Sequence, residues 1–597
     1  MCGIAGILTN SSLENNLELS IQRMQQAVRH RGPDDMGIYI STNRQAALAH
    51  TRLSILDLSI AGHQPMSIAN ERYWITFNGE IYNFQELRTQ LEASGEKFQS
   101  QTDTEVILKL YQQLGSDCVY HLRGMFAFAI WDDLEKTCFL ARDPLGIKPL
   151  YYWQTGSTLL FASELRAILS TKLPSINLSM EGLYGYLVNG SVPEPYTLIE
   201  GIHCLPAGHW LRWHSGDLTS SQYWQINFGT EAVSATEARE KVRIALINSI
   251  KHHFVSDVPV GIFLSGGIDS TAVVALARQT QVDELRTYSI TFEETSWNEG
   301  EIAKRTSELF ETEHTEYKIT ALLGRELLQE FLEAIDQPSI DGFNTFCVSR
   351  LARQEGTKVV LSGLGGDELF GGYQSFQQVP RLVRISKHFQ TFQLISIGLG
   401  MGLENLGKST KLKRLGDFLQ QKPSTSAAYR SFRGIFSHRE ACSIVNDYFP
   451  GRSLPKRQTI NSVPRLPTLE DEVSFLELSC YMRNQLLRDS DVMSMAWGLE
   501  LRVPLVDRNL LEAIASIPSP LRLAPGKQML IDAVPELPTW VINRTKQGFF
   551  FPFEKWMQGE WQNDFRLKTE PKNISLTPWY RRWSLAILHH WWERVTA

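Results

Sequence analysis

The sequence predicts an α/β protein of two large domains: an antiparallel, strand-rich one followed by one built on a parallel sheet. Three observations predict it. The chain has 597 residues, too many for one ordinary domain. Short β-like runs crowd residues 2–215. From about Ala235 the pattern changes to strands and helices in alternation.

The β-like runs of the first domain are Cys2–Leu8, Gly37–Ser41, Ala46–Leu56, Tyr73–Asn78, Met125–Asp132, Thr137–Arg142 and Thr158–Ala162. Helical patterns at about Leu19–Val28 and Phe84–Ser94 interrupt them; in the second, Leu87 and Leu91 stand at helical spacing. Strands at this density predict antiparallel sheets with helices packed outside. The second domain is expected over residues 235–597. It opens with the apolar run Val258–Leu264, then SGGIDS, then a helical pattern. Strand-like Leu285–Phe292, a helix from Glu299 to Phe310, strand-like His314–Ile319 and the run Lys358–Leu361 follow. Strands and helices joined by short connections predict a parallel sheet covered on both faces. Residues 380–470 read as mostly helical.

Composition narrows the class. Hydrophobic residues at 43% and charged residues at 21% are those of a soluble globular protein. A net charge of -6 lacks the basic footprint of a nucleic-acid binder. The opening MCGIAGILTN has no basic segment of a secretory signal. Phe392–Leu403 is shorter than the roughly 18 apolar residues of a membrane span. The seven cysteines are scattered without a Cys-x-x-Cys pair, so no zinc site or disulfide framework is expected, and the thiols read as reduced and cytoplasmic.

Cys2 follows the initiator methionine. A small second residue allows that methionine to be removed, which places a thiol and a free α-amine on one residue. The amine can then act as base for its own nucleophile. Taken alone, Cys2 reads as the start of a buried strand. Arg52 alone reads as a surface ion pair, and Asn78-Gly79 as a hairpin turn. Their company changes the reading. CGIAGI at 2–7 is followed by His30-Arg31-Gly32-Pro33-Asp34, Arg52-Leu53-Ser54-Ile55, Phe77-Asn78-Gly79-Glu80-Ile81-Tyr82-Asn83, Thr102-Asp103-Thr104-Glu105 and Arg142-Asp143-Pro144-Leu145-Gly146. Together these resemble the glutaminase domain of the N-terminal-cysteine amidotransferases. The resemblance implies an αββα sandwich of the N-terminal-nucleophile hydrolase type. It also implies glutamine held by residues 52–56 (Arg52, Leu53, Ser54, Ile55, Leu56), Glu80 and Asp103. Arg52 would fork onto the glutamine carboxylate, Asp103 and Glu80 would hold its ammonium, and Asn78 with the Gly79 N–H would form the oxyanion hole.

In the second domain, Ser265-Gly266-Gly267-Ile268-Asp269-Ser270 lies between a strand and a helix. Two glycines let backbone N–H groups approach a phosphate, and the helix N-terminus adds a positive dipole. No GK[ST] follows, so it is not a Walker loop. It resembles the pyrophosphate loop of ATP pyrophosphatases. Ser362-Gly363-Leu364-Gly365-Gly366-Asp367-Glu368-Leu369-Phe370-Gly371-Gly372-Tyr373 directly follows the strand-like run ending at Leu361. Arg488-Asp489-Ser490-Asp491 and Leu499–Pro504 resemble the family's helical synthetase segment, and Lys546-Gln547-Gly548-Phe549 its late lysine motif.

The whole chain thus resembles the glutamine-dependent asparagine synthetases. The resemblance implies ATP held at Leu264, Ser265, Gly266, Gly267, Asp269, Ser270, Ile290, Ser362 and Gly363. It implies Mg²⁺ on Asp269 and Asp367, Lys546 as the catalytic lysine, and a homodimer. It further implies that ammonia freed at Cys2 reaches β-aspartyl-AMP through a dry passage. One position departs: where well-studied members carry Glu after the Ser-Gly of the second cluster, this chain has Leu364. That departure keeps open a sibling enzyme that amidates another carboxylate, with Asp367 or Glu368 serving in the glutamate's place. A non-catalytic glutamine or nucleotide sensor is the third reading; intact Cys2, Asn78, Asp269 and Asp367 argue against it.

Overall fold

A computed structural model describes residues 2–10, 17–230, 232–280, 284–294, 300–388, 393–406, 409–452, 463–544 and 551–597. The first part of the chain forms twelve strands: β1 Gly3–Leu8, β2 Asp35–Ile40, β3 Ala46–Arg52, β4 Met66–Ile68, β5 Tyr73–Ile81, β6 Gly124–Asp132, β7 Thr137–Arg142, β8 Tyr151–Thr155, β9 Thr158–Ala162, β10 Ile202–Cys204, β11 His209–His214 and β12 Asp217–Gln222. They pair antiparallel into two six-stranded sheets, ordered β10-β8-β9-β1-β3-β2 and β12-β11-β7-β6-β5-β4. The sheets face each other across Ile4, Leu48, Ala127, Ala129, Trp131 and Phe161, all buried. The helix Leu17–Ala27 covers the first sheet at β1 and β3; the helix Asp103–Leu114 covers the second at β5. The result is an αββα sandwich.

Two strand boundaries shift in ways that matter. The run expected as a strand to Leu56 leaves the sheet after Arg52, because the chain turns back and Leu56, Asp57 and Ser59 give their carbonyls to the Arg52 guanidinium. The strand expected to end at Asn78 continues to Ile81. Asn78-Gly79 is therefore strand, not hairpin turn; Asn78 pairs with Ala127 and Gly79 with Phe126. A side chain at 79 would meet the Met125 carbonyl oxygen at 2.1 Å, so the strand accepts only glycine there. Residue 215, where the first domain is expected to end, is a turn residue of the β11–β12 hairpin, and the sheet runs on to Gln222.

Beyond the helix Ala235–His253 lie β13 Val260–Phe263, β14 Arg286–Phe292, β15 Glu313–Ile319, β16 Val359–Leu361 and β17 Glu500–Arg502. They form a parallel sheet in the order β15-β14-β13-β16-β17. Glu500–Arg502, expected in a helical segment, is the edge strand: its backbone completes the ladder beside Val359–Leu361. Arg488–Met495 is helical as expected. The helices Ser375–His388, Thr410–Leu419, Thr425–Arg433 and Leu469–Leu476 pack around Phe376, Val379, Phe418, Tyr429 and Leu476, while His438–Tyr448 packs on the helix Met180–Asn189. Among the described residues, no helix is long and apolar enough to cross a membrane.

The two parts share one core. Leu53, Phe77, Val106 and Tyr223 of the first belong to the same apolar cluster as Val242, Leu264, Leu361 and Leu510 of the second. Charged groups pin the seam. Arg123 makes paired bonds to Asp507 at 2.9 and 3.0 Å. Asp491 receives Arg31 at 2.8 Å and Lys148 at 3.3 Å, all three nearly devoid of solvent contact. Removing one partner of such a buried pair costs about 3–5 kcal/mol, because the other charge is left uncompensated.

Candidate active sites

Cys2 stands at the entry of β1, 8% exposed. Its nitrogen donates to Asn78 Oδ1 at 3.0 Å, and its carbonyl accepts from Arg31 Nε at 3.0 Å. Burial pushes the thiol pKa up; Arg52 and the Leu53 backbone pull it back in part. The thiol thus rests protonated, and a base is needed to use it. Asn78 is wholly buried, and its Nδ2 has no hydrogen-bond partner among the described residues. Such a donor costs free energy unless something accepts from it. It is the donor that an oxyanion hole requires.

Near Cys2, Arg52 is fixed rather than waving: Nη1 donates to the Ser59 carbonyl, Nη2 to those of Leu56 and Asp57. That uses three of its five N–H groups. Leu53 and Ile55 are buried, and the Ser54 N–H donates to Asp34 at 2.8 Å. Asp103 opens its helix, with Thr102 as N-cap, and accepts from the Ile81 N–H at 2.9 Å. Burial raises its carboxyl to about 6. Glu80 is also pushed upward by burial and by Glu500, while Arg502 opposes. Glu500 and Arg502 come from the synthetase edge strand β17: Arg502 Nε bonds Glu500 at 2.5 Å, and its Nη2 lies 3.6 Å from Glu80. Nothing in the sequence signals that these two residues reach Glu80.

At the other end, β13 leads through Leu264 into Ser265–Gly267 and the helix Ile268–Gln279. Gly266 has φ 74°, and a side chain there would press on Ile302. Ser265 and Ser270 hydroxyls bond at 3.1 Å across the loop. The second cluster packs directly on the first. A side chain at Gly363 would meet the Ser270 nitrogen at 2.7 Å, and one at Gly366 would meet Asp269 Oδ1 at 2.2 Å. Leu264 and Ile290 are buried beneath, and the Ser362 N–H donates to the Arg502 carbonyl at 2.9 Å.

Asp269 and Asp367 converge on one cation, the ammonium of Lys527. It bonds Asp269 Oδ2 at 2.5 Å and also pairs with Asp367 Oδ1. Burial alone would lower the Lys527 pKa; the two carboxylates overcome it and hold the ammonium at about 12. Lys527 takes a left-handed backbone, φ 62°, a conformation that costs a non-glycine residue free energy. Sequence reasoning missed it. The only local sign is Pro525-Gly526 before it, a turn that would equally well carry a surface lysine. Lys546, expected as the catalytic lysine, lies outside the described residues. Glu368, a candidate to stand in for the missing glutamate, is buried, accepts from the Tyr373 hydroxyl at 2.8 Å, and is pushed up to about 7 by burial and Asp367.

Comparisons with known proteins match both parts of the chain. Residues 1–224 match the glutamine amidotransferase domain, and residues 241–586 match the asparagine synthase family. An asparagine synthetase (glutamine-hydrolyzing) of Bacillus subtilis is 33% identical over 94% of this chain and 88% of its own. A putative asparagine synthetase of Methanocaldococcus jannaschii is 36% identical over 64% of this chain and 80% of its own. A Gibberella zeae protein named amidase chry2 is 26% identical over 97% of this chain and 93% of its own. The chain belongs to the glutamine-hydrolysing asparagine synthase family.

Proposed function

We propose that this protein takes ammonia from glutamine at Cys2 and uses it to amidate a carboxylate activated by ATP. With Met1 removed, the nitrogen bonded to Asn78 Oδ1 is the α-amine, and it takes the thiol proton. Sγ attacks the glutamine amide carbon; Asn78 Nδ2 and the Gly79 N–H carry the oxyanion charge. The proton passes to the leaving nitrogen, ammonia departs, and water later frees glutamate from the thioester. Arg52 faces the glutamine carboxylate with its remaining N–H groups, and Asp103 its ammonium. At the second site the acceptor carboxylate attacks the α-phosphorus of ATP, pyrophosphate leaves, ammonia attacks the acyl-adenylate, and AMP leaves with the amide formed. Ser265–Ser270 cradle the phosphates, and Lys527 neutralises the departing pyrophosphate. Two converging carboxylates plus nucleotide phosphates are the donor set on which Mg²⁺ rides. Asp269 and Asp367 would hold it, and it would supply further charge neutralisation at the phosphates.

The observation that carries this reading is the Asn78 amide, with its oxygen on the Cys2 nitrogen and its Nδ2 buried without a partner among the described residues. Aspartate, giving asparagine, is the acceptor that the relatives' names suggest. Leu364 favours the second reading, a sibling enzyme that amidates a different carboxylate: an apolar side chain, half-buried against the core, stands where a carboxylate is expected. Processed Cys2→Ala tests the two-site scheme. Glutamine-dependent amide formation should vanish while synthesis from added ammonium stays within about twofold. Equal loss of both would sink it.

A further inference from the structure

The helix Gln393–Leu406 turns its polar side to the protein and its apolar side to solvent. It packs against the helix Thr410–Leu419. On the packed side the Ser396 hydroxyl donates to the Leu419 carbonyl at 2.9 Å, and Glu404 accepts from the Gln420 amide at 2.7 Å. The backbones come close there: a side chain at Gly400 would meet the Gly416 carbonyl oxygen at 2.7 Å. The other side carries Leu394, 85% exposed, Ile395 at 59%, Leu399 at 60% and Met401 at 52%. Helical spacing puts these four on one face, with Gly398 and Gly402 among them. A side chain at either glycine would meet nothing within 4 Å among the described residues.

A single exposed leucine is ordinary, whereas several on one face mark a surface that something covers. Two features say what covers this one. The four large side chains are aliphatic or thioether, without the aromatic rings and arginines that anchor protein partners. The surrounding charge is positive. Arg381 and Lys387 on the preceding helix Ser375–His388, and Lys411 on the following one, are exposed. Arg384, also exposed, is paired with Glu470. Glu404, held at the packed side, is the one acidic residue in the sequence from Arg381 to Arg414, in a chain whose net charge is -6. Two such patches face to face would set cation against cation, so a second copy of the chain is a poor cover. Anionic lipid answers both features: it takes a smooth aliphatic face without demanding shape, and its phosphates attract lysine and arginine. The helix has 14 residues, a rod of about 21 Å. That is short of the roughly 30 Å hydrocarbon core, and it fits a helix lying in the plane of the interface.

We propose that Gln393–Leu406 is an interfacial helix that docks this protein onto an anionic membrane surface. Leu394, Ile395, Leu399 and Met401 enter the headgroup and acyl boundary by about 5–10 Å, while Arg381, Lys387 and Lys411 meet lipid phosphates. The inference stands apart from the amidating function, since none of these residues belongs to either site.

Co-sedimentation of the full-length, Met1-processed protein with sucrose-loaded vesicles tests it. One set holds equal parts of phosphatidylglycerol and phosphatidylcholine, the other phosphatidylcholine alone. The expected result is binding to the mixed vesicles about tenfold or more tighter than to the neutral ones, weakening as salt rises. Leu394→Gln/Leu399→Gln should lower that binding by about tenfold or more. Its glutaminase rate and Tm should stay those of the parent, because both side chains face solvent. Lys387→Gln/Lys411→Gln should cost a similar factor on the mixed vesicles only. Protein that binds neither vesicle, or binds both equally, overturns the inference; so does binding that survives Leu394→Gln/Leu399→Gln. Absent vesicle binding, together with a lipid-free oligomer that this double variant breaks apart, overturns it in favour of a second copy of the chain.

Discussion

Cys2 and Lys527 are both buried reactive groups, 8% and 5% exposed, yet burial leaves them in opposite states. At the thiol, desolvation outweighs the pull of Arg52 and the Leu53 backbone, so its pKa is raised and it stays neutral. The ammonium has Asp269 and Asp367 in contact, so pairing wins and it stays charged. The difference follows the chemistry each end is suited to. A nucleophile can wait as a neutral thiol for substrate and base to arrive together. A group that neutralises phosphate must carry its charge beforehand, because a preorganised charge needs no rearrangement at the moment of reaction.

Substituting Lys527 breaks the second half of that contrast. In Lys527→Met, Asp269 and Asp367 face each other without their shared cation. Acceptor-dependent pyrophosphate exchange should fall by about 1,000-fold or more, beyond the loss of one oxyanion donor, while glutaminase activity stays within about twofold. Exchange surviving within tenfold would show that the ammonium only ties the two loops together. Asn78→Ala sharpens the first half. Its loss should appear in glutamine kcat, by roughly 100- to 1,000-fold, with ammonium-supported synthesis unchanged. A rise in the KM for glutamine at constant kcat would instead make Asn78 a binding group.

The same contrast marks what the sequence could tell. Residues 2–7, 78–80 and 265–270 are short and contiguous, and each works through backbone geometry or one side chain, so each is readable as written. Cys2 meets Asn78, and Asp269 meets Gly366, because strands bring together segments already conspicuous alone. Lys527 is not readable, since what makes it reactive is two carboxylates more than 150 residues away in sequence. Glu500 and Arg502 escape for the same reason; their meaning lies in Glu80 across the seam. The large cavity beside Asp367 and Gly372 draws on segments near residues 190, 340, 373, 430, 481, 551 and 580. Its tyrosines, phenylalanines and tryptophans look, one at a time, like ordinary core. Fold and motifs are therefore written locally, and the cavity is written in the packing.

Asp103 gives the smallest expected effect and joins activity to stability. Its carboxyl is raised by burial from 3.8 to about 6. Above pH 6 it is charged and can hold the glutamine ammonium; as pH falls through 6 it is neutralised. The kcat/KM for glutamine should then drop about tenfold per unit at lower pH, while ammonium-supported synthesis keeps its own profile. Stability runs the other way. A raised carboxyl pKa means that the folded protein binds this proton more readily than the unfolded chain, so stability from this group falls as pH rises from about 4 to 6 and stays reduced above. Asp103→Asn, which can still accept from the Ile81 N–H, should therefore lower glutamine kcat/KM at pH 7.5, flatten the acid limb, and leave Tm at pH 7.5 equal to or above that of the parent. A variant that loses Tm at pH 7.5 and keeps the acid limb would place the titrating group elsewhere, with Glu80 the next carboxyl to change.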